Sequence, residues 1–243
     1  MGIASKLAEV RERIAWAAQQ AGRDPGEVAL MAVSKTHAAA AILEAIAAGQ
    51  MLFGENRVQE FAAKRDSVLA GALAGALAPS SGASFHLIGH LQSNKAARAV
   101  ELFDAIDSVD SLRLAERLNE AAARLNRKLD ILIEINIGGE AAKSGLDPGS
   151  AELQKLLDAA PRLANLVIRG CMTVPPFTED PERARGCFRR LRELRDRLRV
   201  RGGLPLTELS MGMSHDFEVA IAEGSTCVRV GTAIFGERSY PVP

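Results

Sequence analysis

Lys35 stands at the end of the apolar run Val28-Ala29-Leu30-Met31-Ala32-Val33-Ser34, and an alanine-rich stretch with helical periodicity begins at Ala38. A β-branched and apolar run of this length reads as a buried strand over 28–34, which puts the amine at the strand's C-terminal mouth. Packing of low dielectric disfavours an ammonium, so the neutral, nucleophilic fraction rises toward what a Schiff base with an aldehyde requires. A second constellation lies near the other end of the chain. Ser210, Gly212 and Ser214 offer two hydroxyls and a close-approach glycine ahead of a helix starting near Asp216, and Gly231-Thr232 offers a second pair of exposed backbone N–H groups. Such groups suit a phosphate, and α/β barrels commonly bind one at the loops after strands seven and eight.

The elements that must bring these residues together alternate from end to end. Strands are expected over 28–34, 51–53, 85–88, 105–108, 129–136, 167–172, 208–211 and 227–230. Helices are expected over 3–21, 38–48, 57–69, 95–102, 111–125, 149–160, 181–199 and 217–223. Alternation of this kind implies a parallel sheet with crossover helices. Eight strand–helix units in 243 residues match a closed (β/α)8 barrel of the TIM type with one extra N-terminal helix. A doubly wound open sheet is the alternative. Nearly every strand ends in a small polar cluster, including Gly54-Glu55-Asn56-Arg57, the 89–95 segment and Arg229-Val230-Gly231-Thr232. Closure would gather all of them on one rim. The chain reads as a single domain over 1–243, interrupted by an Ala/Gly/Leu-rich insertion over 69–84 whose composition suggests flexibility.

Bulk composition narrows the partners. The 30 basic and 30 acidic residues cancel, so no overall attraction to nucleic acid or an anionic membrane is expected. The Arg-rich 183–201 segment mixes Arg with Leu, Phe and Glu at helical spacing, as the wet face of an outer helix does. Cys171, Cys187 and Cys227 follow no disulfide or metal spacing, which suits a reducing, cytoplasmic setting. No leader pattern and no apolar run of spanning length is evident, and Lys6 holds the position where a myristoylation start wants Ser or Thr. The 138–144 segment imitates a nucleotide-binding loop, but Ile137 and Ala142 occupy its two glycine positions. His86 and His90 would be about 13 Å apart on a strand, too far to share a metal ion. His86 is expected to face the barrel interior, and Cys171 to be a buried structural thiol.

Five stretches together resemble the pyridoxal phosphate homeostasis proteins, which share the barrel of the alanine racemase N-terminal domain. They are Ala32-Val33-Ser34-Lys35-Thr36, Phe53-Gly54-Glu55-Asn56-Arg57-Val58-Gln59-Glu60, His86-Leu87-Ile88-Gly89-His90-Leu91-Gln92-Ser93-Asn94-Lys95, Leu209-Ser210-Met211-Gly212-Met213-Ser214, and Val228-Arg229-Val230-Gly231-Thr232-Ala233-Ile234-Phe235-Gly236. The resemblance implies that Lys35 carries pyridoxal 5′-phosphate (PLP) as an internal aldimine. It implies that Ser210, Ser214, Gly231 and Thr232 hold the cofactor's phosphate, and Met211 and Gly212 of the same run are expected among the cofactor contacts. It also implies that Asn56 lies near the ring and that Arg229 faces the pyridine nitrogen. A guanidinium essentially never gives up its proton, so it would leave that nitrogen unprotonated and weaken the ring as an electron sink. His215 departs from the pattern, standing where many relatives have an acidic residue.

A two-base racemase needs a second acid/base, which the alanine racemases take from a tyrosine of another domain across a dimer. The single tyrosine of this chain is Tyr240, in the terminal tail. The expected function is therefore a monomeric carrier that takes up, holds and releases PLP without efficient turnover, with PLP-dependent apoenzymes as possible recipients. Lys95 and Lys143 are candidate second docking points. The alternatives are a PLP-dependent racemase or lyase, and a Schiff-base aldolase whose substrate phosphate fills the Ser210/Thr232 site.

Overall fold

The computed structural model describes residues 2–74, 82–140, 144–202 and 204–236. Eight parallel strands close into a barrel in the order β1 to β8, with β1 (Ala29–Val33) hydrogen-bonded to both β2 (Leu52–Glu55) and β8 (Cys227–Val230). Between them run β3 (Ser84–Leu87), β4 (Ala105–Val109), β5 (Leu129–Glu134), β6 (Leu166–Met172) and β7 (Glu208–Met213). The closed barrel is the architecture expected from the sequence, and the open sheet is excluded by the β1–β8 pairing of Ala29 with Cys227 through Ala32 with Val230.

Crossover helices follow the strands: α2 (Ala39–Ala47), α3 (Val58–Ala74), α4 (Ala96–Leu102), α5 (Leu112–Arg124), α6 (Ala151–Ala159), α7 (Arg185–Gly202) and α8 (Phe217–Ala222). The extra helix α1 (Ile3–Gln20) precedes them and buries Leu7, Val10, Ile14, Ala17 and Ala18, a stripe at helical spacing. That stripe packs on α8, α2 and α9 (Thr232–Phe235). Arg13 fixes the contact, pairing with Glu218 at 2.6 Å and lying 4.6 Å from the centre of the Phe217 ring. The starts of α5 and α6 are set by Ser111 and Ser150, whose hydroxyls accept from Leu114 N and Leu153 N.

One sector of the wall is aromatic. Phe53 stacks on Phe85 at 5.2 Å, and Phe61 of α3 meets Phe85 at 4.7 Å and Phe103 at 4.9 Å. These rings clamp α3 to the β2–β3 pair and so fix which α3 side chains face the rim. The strands match the sequence reading closely, but α3 runs five residues further, to Ala74, into the segment taken for an insertion. Residues 75–81 of that segment, with Lys143 and Tyr240, lie outside the described residues.

The Arg-rich segment is less uniformly wet than its pattern suggests. Arg185, Arg189 and Arg192 of α7 converge on the buried carboxylate of Glu223 at 3.1, 3.0 and 3.3 Å, and these guanidinium groups hold Glu223 below the usual carboxylate range. They lock α7 onto the end of α8. Inside the barrel, His86 faces inward as expected and pairs with Asp107 at 3.1 Å. Burial opposes the charged imidazole, but Asp107, with Asp104 and Glu208 further off, outweighs it and raises His86 above its ordinary value. No described helix is long and apolar enough to cross a membrane.

Candidate functional site

The strand ends of β1, β2, β7 and β8 surround a cavity of about 520 Å³ at the barrel mouth. Lys35, Asn56, Ser214, Arg229, Gly231 and Thr232 line it together, so six of the nine cofactor contacts expected from the sequence share one space. Val33, Ile88, Val174 and Phe177 give it apolar walls, and His37 and His215 reach it as well.

Lys35 is the second residue of a tight turn that ends β1, closed by His37 N donating to Ser34 O at 3.2 Å. The third residue, Thr36, has φ 67°, a left-handed conformation that a β-branched residue adopts only when its surroundings impose it. They do so here. Glu60 of α3 accepts from Thr36 N, Ser34 Oγ donates to Glu55 Oε1 at 2.6 Å, and Lys64 Nζ lies 2.8 Å from the same oxygen. Glu55 is fully buried, and burial raises its carboxyl although Lys64 and Ser34 pull it down. Asn56 follows directly, with its Oδ1 buried and without a hydrogen-bond partner among the described residues. Gly89 permits this placement, because a Cβ there would strike the Asn56 carbonyl oxygen.

On the neighbouring strand β8, Arg229 is buried and donates from Nη1 to Ser210 Oγ at 2.7 Å and from Nη2 to Thr173 O at 2.7 Å. Both partners are neutral. Burial therefore pulls the guanidinium below its ordinary value, with Cys227, Asp107, Glu134 and Asp216 opposing the change. At neutral pH it still holds its proton, and two of its five N–H groups are engaged by these bonds. Gly231 N donates to Ser214 Oγ at 3.3 Å, tying the β7 and β8 loops together. The β7 loop is closed in turn by Asp216, whose Oδ1 accepts from Met213 N at 2.6 Å.

Three expected contacts fall elsewhere, each for a packing reason. Ser210 is fully buried and anchors Arg229, so its hydroxyl positions the guanidinium instead of lining the cavity. The Met211 side chain points into the core. Gly212 has φ 95°, and a Cβ there would come within 2.6 Å of Ala220 Cβ and 3.0 Å of Phe217 Cα, so this glycine lets β7 lie against α8. His215 lines the cavity, but its Nε2 donates to Thr178 O at 2.9 Å and its ring meets Phe177 at 5.0 Å, which ties the β6–α7 loop to the mouth. The candidate second docking point Lys95 lies outside the cavity, in a shallow depression with Arg57 and His90 that shares Asn56 with it.

Sequence reasoning passed over Lys64, Glu60 and Phe177. Lys64 was detectable in principle: it follows buried Phe61 by three residues and precedes buried Val68 by four, which puts it on the inward face of α3.

Comparisons with known proteins identify the family and the fold. The family model of the alanine racemase N-terminal domain matches residues 5–239. The pyridoxal phosphate homeostasis protein of Aquifex aeolicus is 42% identical over 240 residues, covering 99% of this chain and 100% of that protein. PipY of Synechococcus elongatus, solved with PLP bound, superposes with a TM-score of 0.81 at 42% identity over 96% of this chain and 100% of its own. An alanine racemase of Clostridium difficile shares the fold with a TM-score of 0.71 at 15% identity, over 99% of this chain and 57% of its own. The chain thus belongs to the alanine racemase N-terminal domain family, among the pyridoxal phosphate homeostasis proteins.

Proposed function

We propose that this protein binds PLP at the barrel mouth, held covalently by Lys35, and serves PLP homeostasis as a carrier without efficient turnover. The observation that carries the reading is that Lys35 and Arg229 enter one cavity from the neighbouring strands β1 and β8, beside a buried Asn56 oxygen that still needs a donor. A cavity of about 520 Å³ is of a size that takes a small cofactor. Lys35 would bond the cofactor's aldehyde carbon. Ser214 with the backbone N–H groups at Gly231 and Thr232 would take its phosphate, Arg229 would donate to its ring nitrogen, and Asn56 would lie along the ring.

Bound PLP supplies an aldehyde and an electron-accepting ring. What the chain does with them is set by Arg229. Its guanidinium would keep its own proton while donating to the ring nitrogen, which would leave the ring a weak electron sink. Ser210 and the Thr173 carbonyl hold that donor in place. The site holds the cofactor better than it turns substrate over, and PLP-dependent apoenzymes are proposed as recipients. Three cysteines without disulfide partners support the proposed cytoplasmic setting. A monomer is the proposed state, to be read from the mass in solution.

The test is a PLP titration of the purified protein followed by exposure to D- and L-amino acids. A visible-absorbing adduct that borohydride bleaches and fixes to the protein, with negligible turnover, is expected. Racemisation or elimination at ordinary enzymatic rates, about 1 s⁻¹ or more, would replace the carrier by a catalyst. A colourless protein that instead traps a sugar phosphate would establish the aldolase alternative.

A further inference from the structure

Two lysines meet at the end of β1, and they are held in different ways. Lys64 reaches the 34–37 turn from α3, and its Nζ donates to Ser34 O at 3.0 Å and to His37 O at 3.2 Å, the two ends of the turn that contains Lys35. The same nitrogen lies 2.8 Å from Glu55 Oε1 and 3.2 Å from Glu60 Oε1. Its side chain is 11% exposed, and that of Glu55 is fully buried. Four oxygens therefore surround one nitrogen. An ammonium has three N–H donors, whereas a neutral amine would turn a lone pair toward an oxygen, so Lys64 is a fixed cation with its donors committed. It is not a competitor for an aldehyde.

The carboxylates that neutralise Lys64 are also the acceptors that hold the rest of the turn. Glu55 Oε1 accepts from Ser34 Oγ at 2.6 Å, and Glu60 Oε1 accepts from Thr36 N. Ser34, Thr36 and His37 are thus all fastened to one ionic cluster whose members come from β2 and α3. Thr36 at φ 67° is the residue that such fastening must overcome, because a β-branched side chain in the left-handed region favours relaxation to negative φ. Relaxation of that residue would swing its neighbour Lys35.

We propose that Lys64, with Glu55 and Glu60, is a positioning residue that clamps the 34–37 turn in its strained form and thereby aims the Lys35 amine into the cavity. The proposal rests on the reading that Lys35 captures PLP.

The test compares wild type with Lys64→Met, Glu60→Gln, and Lys64→Met combined with Thr36→Gly. Three quantities are read: the rate of covalent PLP capture, the affinity for pyridoxine 5′-phosphate, which lacks the aldehyde, and hydrogen exchange of the Thr36 amide. In Lys64→Met the capture rate is expected to fall about tenfold or more, since a displaced nucleophile loses its attack geometry. Affinity for the aldehyde-free analogue should stay within about twofold, because interactions with the phosphate and ring are retained. Adding Thr36→Gly should restore much of the rate, because glycine occupies positive φ without strain and needs no clamp. Glu60→Gln should show the same pattern more weakly and serves if Lys64→Met does not fold. A folded Lys64→Met protein with unchanged capture would overturn the proposal, as would parallel losses of capture and analogue affinity that Thr36→Gly does not relieve. If wild type forms no adduct at Lys35, the cofactor reading fails by itself. The clamp is then judged on Thr36 exchange, which must accelerate about tenfold or more in Lys64→Met, and unchanged exchange sinks it.

Discussion

The two sides of the cavity are built from opposite materials. On the β1–β2 side, the turn bearing Lys35 is fastened to two carboxylates and a buried ammonium. On the β7–β8 side, Arg229 is held by a serine hydroxyl and a backbone carbonyl, both neutral. The first side fixes position, because ionic partners within about 3 Å are short and directional. The second keeps donors open, because its two neutral partners engage only two of the five guanidinium N–H groups. A covalent anchor needs a set direction. A ring nitrogen and a phosphate need an uncancelled donor.

Deleting the anchor should have the largest effect. Lys35→Ala is expected to abolish the borohydride-fixed adduct while leaving a weaker, reversible association with PLP, measurable by equilibrium dialysis. Arg229→Met comes next. It removes a charged donor and strands the Ser210 hydroxyl and Thr173 carbonyl, so PLP affinity should fall by about 1.5–3 kcal/mol, roughly ten- to a hundredfold, as isothermal titration would read. The Lys35 adduct should still form at saturating PLP, which separates the two sides cleanly.

A smaller effect concerns pH and stability. Burial raises Glu55 above the ordinary carboxylate range, so between its unfolded and folded values the native state holds more protons than the unfolded chain. Stability contributed by this group therefore falls as pH rises through that window. Glu55→Gln should flatten this part of a urea-melt pH profile. The arginine-bound Glu223 has the opposite sign: its lowered value gives stability that is present above the unfolded carboxylate value and lost as pH falls through the folded one. The smallest effect is on thiol chemistry. Burial pushes Cys171 and Cys227 up to about 12, so only half-buried Cys187 should be alkylated in the native protein, and mass mapping would show it.

Much of this was legible in the chain because barrel strands are apolar and end in polar clusters. The β8 limits of Cys227–Val230 coincide with the expected ones, and β1 differs by one residue at each end. What was missed involves contacts that no local pattern encodes. The α9 helix has four residues, too few to show a period. Ser210 looks like a ligand on its strand, yet it serves Arg229, nineteen positions away in sequence. Lys64 looks like one charge on a wet helix until the aromatic packing of Phe61 fixes which way α3 faces. Cavity-facing residues share a strand end and can be guessed; of the residues that hold them, Lys64 shows only in its spacing on α3, and the service of Ser210 to Arg229 shows in no local pattern.

The most direct test is peptide mapping by mass spectrometry of the PLP-loaded, borohydride-reduced protein. One reduced phosphopyridoxyl group on the peptide containing Lys35, absent after Lys35→Ala, is the expected result. A stoichiometric adduct on another lysine, or none at saturating PLP, would contradict the cofactor site described above.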